Sequence, residues 1–101
     1  MILKVHEGAD GSRVIAVCDD DLLGKRFEEK NLRLDLSTEF YNGERKEGET
    51  LLKEIRKGRC HLNIAGEHSV DFCAKNHLIE KKNTIKVDGI PHAQAIITTG
   101  E

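Results

Sequence analysis

The chain has one proline, no tryptophan, one tyrosine and three phenylalanines. With so few rings, a core has to be assembled from Leu, Ile, Val and Ala. Cysteine is scarce and odd in number. Cys18, Cys60 and Cys73 cannot all pair within one chain, which disfavours a disulfide framework and suits reduced thiols in a cytosol. No apolar run approaches the roughly 20 residues of a membrane helix. The opening MILKVHEG lacks the basic and then apolar layout of a signal peptide. The expectation is a cytoplasmic protein with no membrane partner. Charge of one sign is missing too: 34% of residues are charged, yet the net charge is −2. Duplex-binding domains carry a basic face, so bulk DNA binding is disfavoured, though a small basic patch is not.

The 101 residues suit one domain, residues 1–101, which at this size buries roughly two thirds of its unfolded surface. Ile2 to Glu7 reads as a strand, Gly8 to Gly11 as a turn, and the apolar run Val14 to Cys18 as a central strand buried on both faces. Asp19 to Gly24 reads as one helical turn that Asp19 can cap. Leu32 to Leu36 alternates as a half-buried strand. Phe40 to Glu44 is an aromatic-flanked turn, and Glu49 to Lys57 is a helix stopped by Gly58. Cys60 to Ala65 reads as a strand and Glu67 to about Asn76 as a helix, with Asn76 the left-handed stop. Asn83 to Val87 and Ala93 to Thr99 are further strands. The strand–helix–strand order from Cys60 to Val87 suggests a right-handed parallel crossover. The expected fold is α+β: one compact domain with a mixed sheet of about five to six strands and two or three helices packed on it.

Several places could carry chemistry. Gly66 stands between a strand and a helix, where free N–H groups can hold an anion. A lone glycine is also a tight connection, and Glu67 would repel a phosphate. Cys60, His61, His68, Cys73 and His77 could gather around a metal, but the spacings of tetrahedral zinc sites are absent; the thiols read better as small apolar residues. Asp19, Asp20 and Asp21 need no cation if they serve a helix start. A nucleophilic thiol needs a lowered pKa, and the aspartates after Cys18 act the other way. No metal or cofactor is expected. GIPHAQAII, from Gly89 to Ile97, holds the lone Pro91. This reads as a bend before the last strand, with a cis bond open there. His92 and Gln94, two apart, then point to the same side and offer an imidazole and an amide to a polar ligand. The plain alternative is that both serve main-chain groups at the bend.

CDDDLLGKRFEEKNLRLDLSTEFYNG, NIAGEHSVDFCAKNHLI and GIPHAQAI together give the chain a resemblance, almost end to end, to the archaeal family known as domain of unknown function 424. The resemblance implies a small archaeal cytosolic protein with an association with translation genes, and it supplies no reaction. It draws attention to Lys25, Tyr41, Asn63, Gly66, His92 and Gln94. The chain departs from the family pattern at His77, where glycine is usual.

The leading functional expectation is a non-enzymatic binding or accessory factor for RNA or a translation component, using Lys25, Arg26, Asn63, His92 and Gln94. Gly66 and Tyr41 complete the candidate ligand-binding set. One rival is a small hydrolase or transferase with His92 as general base. Another is a structural partner subunit, with Leu32 to Leu36 extending across a homodimer.

Overall fold

The computed structural model describes residues 1–98. Its main sheet is built from β1 (Ile2–Glu7), β2 (Arg13–Cys18), β5 (Glu44–Arg45), β6 (Cys60–Ala65), β7 (Ile85–Val87) and β8 (Ile90–Ile97), in the order β5-β1-β2-β6-β8-β7. A hairpin, β3 (Arg26–Glu29) and β4 (Leu32–Asp35), stands apart from it. The helices are α1 (Gly48–Arg56) and α2 (Glu67–Lys75). The fold is α+β with a mixed sheet: β2 and β6 are parallel, and the other pairs are antiparallel.

Side-chain alternation along the strands produces two cores. Leu3, Ile15, Val17, Leu62, Ile64 and Ala93 pack under Leu51 and Ile55 of α1 and Val70 and Cys73 of α2. On the opposite face Ile2, Ala16, Cys18, Ala65 and Val87 pack under Leu22, Leu34, Leu36 and Tyr41. The unbroken apolar run in β2 follows from this, because its odd residues serve the helices and its even residues serve the hairpin.

Several sequence expectations change. β6 and β7 are parallel to each other, as a crossover requires, but β8 lies between them and is antiparallel to both. Pro91 does not bend the chain before a strand. It lies inside β8, and no peptide bond among the described residues is cis. The turn is Asp88-Gly89, both at positive φ (52° and 80°), the backbone of a two-residue hairpin. A strand donor at Pro91 would face Gly66, whose carbonyl already accepts the Val70 N–H, so the missing N–H leaves nothing unpaired. Thr99, the expected end of the last strand, lies outside the described residues.

The stop of α2 is His77 rather than Asn76. His77 has φ 62°, whereas Asn76 has φ −96°. The Leu78 N–H donates to Cys73 O and the His77 N–H to Ala74 O, the double closure that favours glycine at the left-handed residue. Glycine would take this left-handed position without strain. His77→Gly should stabilise the protein by about 0.5–1 kcal/mol, since relief of left-handed strain outweighs the added chain entropy. A thermal melt reads this as a higher Tm; an unchanged or lower Tm contradicts it.

Candidate functional site: the open half of the sheet

The front face of the sheet, opposite the helices, is covered at one end only. The hairpin lies over Ile2, Cys18, Ala65 and Val87. The turn at Glu39–Phe40 closes over β1: Lys4 Nζ donates to Glu39 O at 3.0 Å and His6 Nε2 to Phe40 O at 2.9 Å, with the His6 and Phe40 rings stacked. The uncovered part belongs to β6 and β8, with the exposed Ile85 of β7 beside His92 at its margin. The register sets Asn63 opposite Gln94, Ala65 opposite His92 and His61 opposite Ile96. Because β-strand side chains alternate, His61, Asn63, His92, Gln94 and Ile96 all look out from this one face. A shallow hollow of about 260 Å³ is walled by His61, Asn63, Gln94 and Ile96.

Asn63, His92 and Gln94 are therefore brought together, although His92 stands beside the hollow rather than in its wall. Its Nδ1 lies 2.9 Å from Ile64 O. A carbonyl can only accept, so Nδ1 carries the proton and Nε2 of the neutral ring presents a lone pair. Burial lowers the His92 pKa, and the bond to Ile64 partly opposes this; the neutral ring is favoured.

The other candidates sit elsewhere. Tyr41 is a core residue beneath the hairpin, with burial pushing its hydroxyl up to about 12. Lys25 is exposed at the foot of the hairpin, where its main chain bonds Leu22 and Leu36. Gly66 starts α2, but the anion at that helix start is the protein's own. Asp19 accepts from the His68 N–H (3.1 Å), the Ser69 N–H (2.8 Å) and the Ser69 hydroxyl (2.7 Å). Asp19 thus caps α2, some fifty residues on, and its side chain does not cap the short turn it precedes.

All three thiols are buried. Burial, with Asp19 and Asp20 adding to it, pushes Cys18 up to about 11, and burial alone pushes Cys73 up to about 12. Neither is a ready nucleophile. No group of three His, Cys, Asp or Glu side chains among the described residues could hold a metal. A larger hollow, about 850 Å³, is lined by Asp19, Asp20, Asp21, Arg45, Glu67 and His68 among others. Within it Asp20 pairs with Arg45 and with the Met1 amino group, each at 2.8 Å, and Asp71 pairs with Lys81. No helix among the described residues is long and apolar enough to cross a membrane.

Sequence reasoning reached Asn63, His92 and Gln94 but weighed His61 only as a metal ligand and passed over Ile96. The signal for both was the strand alternation that puts His61 beside Asn63 and Ile96 beside Gln94.

The fold is similar to that of an uncharacterised conserved protein from Methanopyrus kandleri, an archaeon, seen in a crystal structure. The TM-score is 0.79 and the sequence identity 29%, over 99% of this chain and 93% of that one. No curated protein matches the chain. The model of the family described as "Protein of unknown function (DUF424)" matches residues 6–97, a span that takes in every residue of the open face, and the chain belongs to that family.

Proposed function

We propose that the protein is a non-catalytic binding module whose open sheet face takes single-stranded RNA by its bases rather than by its phosphates. The observation that carries this reading is the Asn63–Gln94 pair, two amides set directly opposite each other on an uncovered face. Each amide offers a donor and an acceptor to the polar edge of an unpaired base. His61 is exposed at one end of the pair and can stack on a base. His92, at the other end, presents Nε2 as an acceptor. A general base needs a cleft that delivers a substrate proton to it; His92 stands outside the hollow, and we assign it recognition rather than proton transfer.

The face residues His61, Asn63, His92, Gln94 and Ile96 include no Lys, Arg, Asp or Glu, so binding should be weak and only shallowly dependent on salt, unlike contacts made through phosphates. Fluorescence anisotropy with short labelled single-stranded RNAs tests this. Asn63→Ala and Gln94→Ala should each weaken binding about tenfold, the loss of one or two hydrogen bonds. Absence of binding at low salt sinks the reading. A steep salt dependence that follows Lys25 and Arg26 instead of the amides would move the contact to the hairpin.

A further inference from the structure

The polar groups of the open face differ in how freely they exchange donor for acceptor. Among the described residues, the side-chain amides that bond within the protein are those of Asn42 and Asn76. Asn63 and Gln94 therefore leave their whole amides to a ligand, and a half-turn about the last side-chain bond swaps the donor for the acceptor. His61 is equally adaptable. The histidine rings that bond internally among the described residues are His6 and His92, and a free neutral ring can carry its proton on either nitrogen. Groups of this kind supply hydrogen bonds to any base and select none.

His92 has no such freedom. Ile64 O, 2.9 Å from Nδ1, can only accept, so the proton is fixed on Nδ1 and Nε2 is held as a bare acceptor. Turning the ring over would set a carbon against that carbonyl and lose the bond. Nε2 has no partner of its own among the described residues, where the one buried side-chain nitrogen or oxygen without a partner is Thr84 Oγ1. Nε2 is therefore open to solvent. The register keeps it close to the amides: His92 is two residues from Gln94 on β8 and diagonal to Asn63 on β6. Diagonal neighbours on one face stand about 7–8 Å apart, within reach of long side chains, so one base can touch all three.

We infer that His92 is the specificity-determining residue of this face and makes it prefer bases with an exocyclic amino group to uracil. The inference rests on the reading of the face as a surface that binds bases, and it says which bases. Cytosine and uracil share one ring and differ at C4, where cytosine has an amino donor and uracil a carbonyl acceptor. The amino group can donate to Nε2; the carbonyl sets lone pair against lone pair. Uracil does have a donor in its N3–H, but that group lies between two carbonyls, which the approaching imidazole nitrogen must face as well.

Fluorescence anisotropy at neutral pH, with labelled oligocytidylate and oligouridylate of equal length, tests the inference. Oligocytidylate should bind about tenfold more tightly, the difference between a hydrogen bond made and an acceptor left facing a carbonyl. His92→Gln replaces the fixed acceptor with an adaptable amide, so binding of oligouridylate should rise to within about twofold of that of oligocytidylate. A merely structural role for His92 predicts a loss for both oligomers and a gain for neither. Asn63→Ala should weaken both and keep their ratio. Nitrogen NMR of the imidazole in the RNA-free protein needs no variant and should find Nδ1 protonated. Equal affinity for the two oligomers, or a preference that survives His92→Gln in a chain that circular dichroism shows to be folded, overturns the inference and leaves the face an unselective binder of bases. A ring protonated at Nε2 overturns it too. Binding of neither oligomer removes the proposed function and this inference together.

Discussion

Asp19→Ala should lower the unfolding free energy by about 3 kcal/mol, the sum of a lost helix cap and a buried hydroxyl left without its partner. The side chain of Asp19 holds two main-chain N–H groups of the first turn of α2 and the Ser69 hydroxyl, and Ser69 is fully buried. For a domain of this size the loss corresponds to a fall in Tm of roughly 12–24 °C. Gly66 is the other half of the same device. Its φ of +110° disfavours any side chain, and a Cβ there would lie 2.3 Å from the Asp19 carboxyl carbon. Gly66→Ala must therefore drive Asp19 off the helix as well as strain the backbone, at a cost of about 3 kcal/mol or more. Once Asp19 is gone, the same substitution costs only the strain. A double-mutant cycle by urea denaturation should thus give a coupling of at least about 1 kcal/mol. Strict additivity of the two changes would show that the capping contact does not carry this energy.

Gly43→Ala should be nearly as damaging, about 3 kcal/mol, for a reason of space rather than of backbone angle. A Cβ at Gly43 would fall 2.1 Å from Leu3 O and 2.6 Å from the Leu3 carbonyl carbon. β1 cannot retreat, because its other edge is paired with β2 over six residues. The short strand β5 must lift off instead, breaking its pairing at Ile2 and Leu3 and pulling on Tyr41 in the front core. Tyr41 is the sole tyrosine and the chain has no tryptophan, so intrinsic emission reports this residue alone. Urea melts followed by that emission should show an earlier midpoint and an altered folded baseline. A melt within about 0.5 kcal/mol of the parent would mean that the strand pair absorbs the methyl.

The elements with strong internal periodicity were open to reading from the residues. Leu51, Leu52 and Ile55 mark α1, and Leu62 and Ile64 mark β6. β3 was hidden because Phe27 is its only apolar residue, and because its turn is made by Lys30 at φ 58° instead of by a glycine. β5 is two residues long and has no pattern to show. Asp88-Gly89 does mark a hairpin, yet Pro91 suggests a break two residues later. That proline is tolerated because of where the Gly66 carbonyl points, a fact of tertiary structure. The candidate site divides in the same way. Strand alternation places His92 with Gln94, and His61 with Asn63. That Asn63 stands opposite Gln94 depends on the register of two strands some thirty residues apart. The Asp19 cap spans a still longer separation, and nothing local in the aspartate run distinguishes a cap for its own turn from a cap for a distant helix.

The place of β8 also governs when the protein can fold as it is made. This strand emerges after every other described element, yet it fills a slot in the interior of the sheet. While the nascent chain ends short of Ile90, β7 has no hydrogen-bonded neighbour and β6 shows a bare edge. β6 can pair with β2 without β8, but β7 reaches the sheet only through β8. The sheet is thus completed only when β8 has been made, and a chain cut at Asp88–Gly89 lacks the strand that ties β7 to β6.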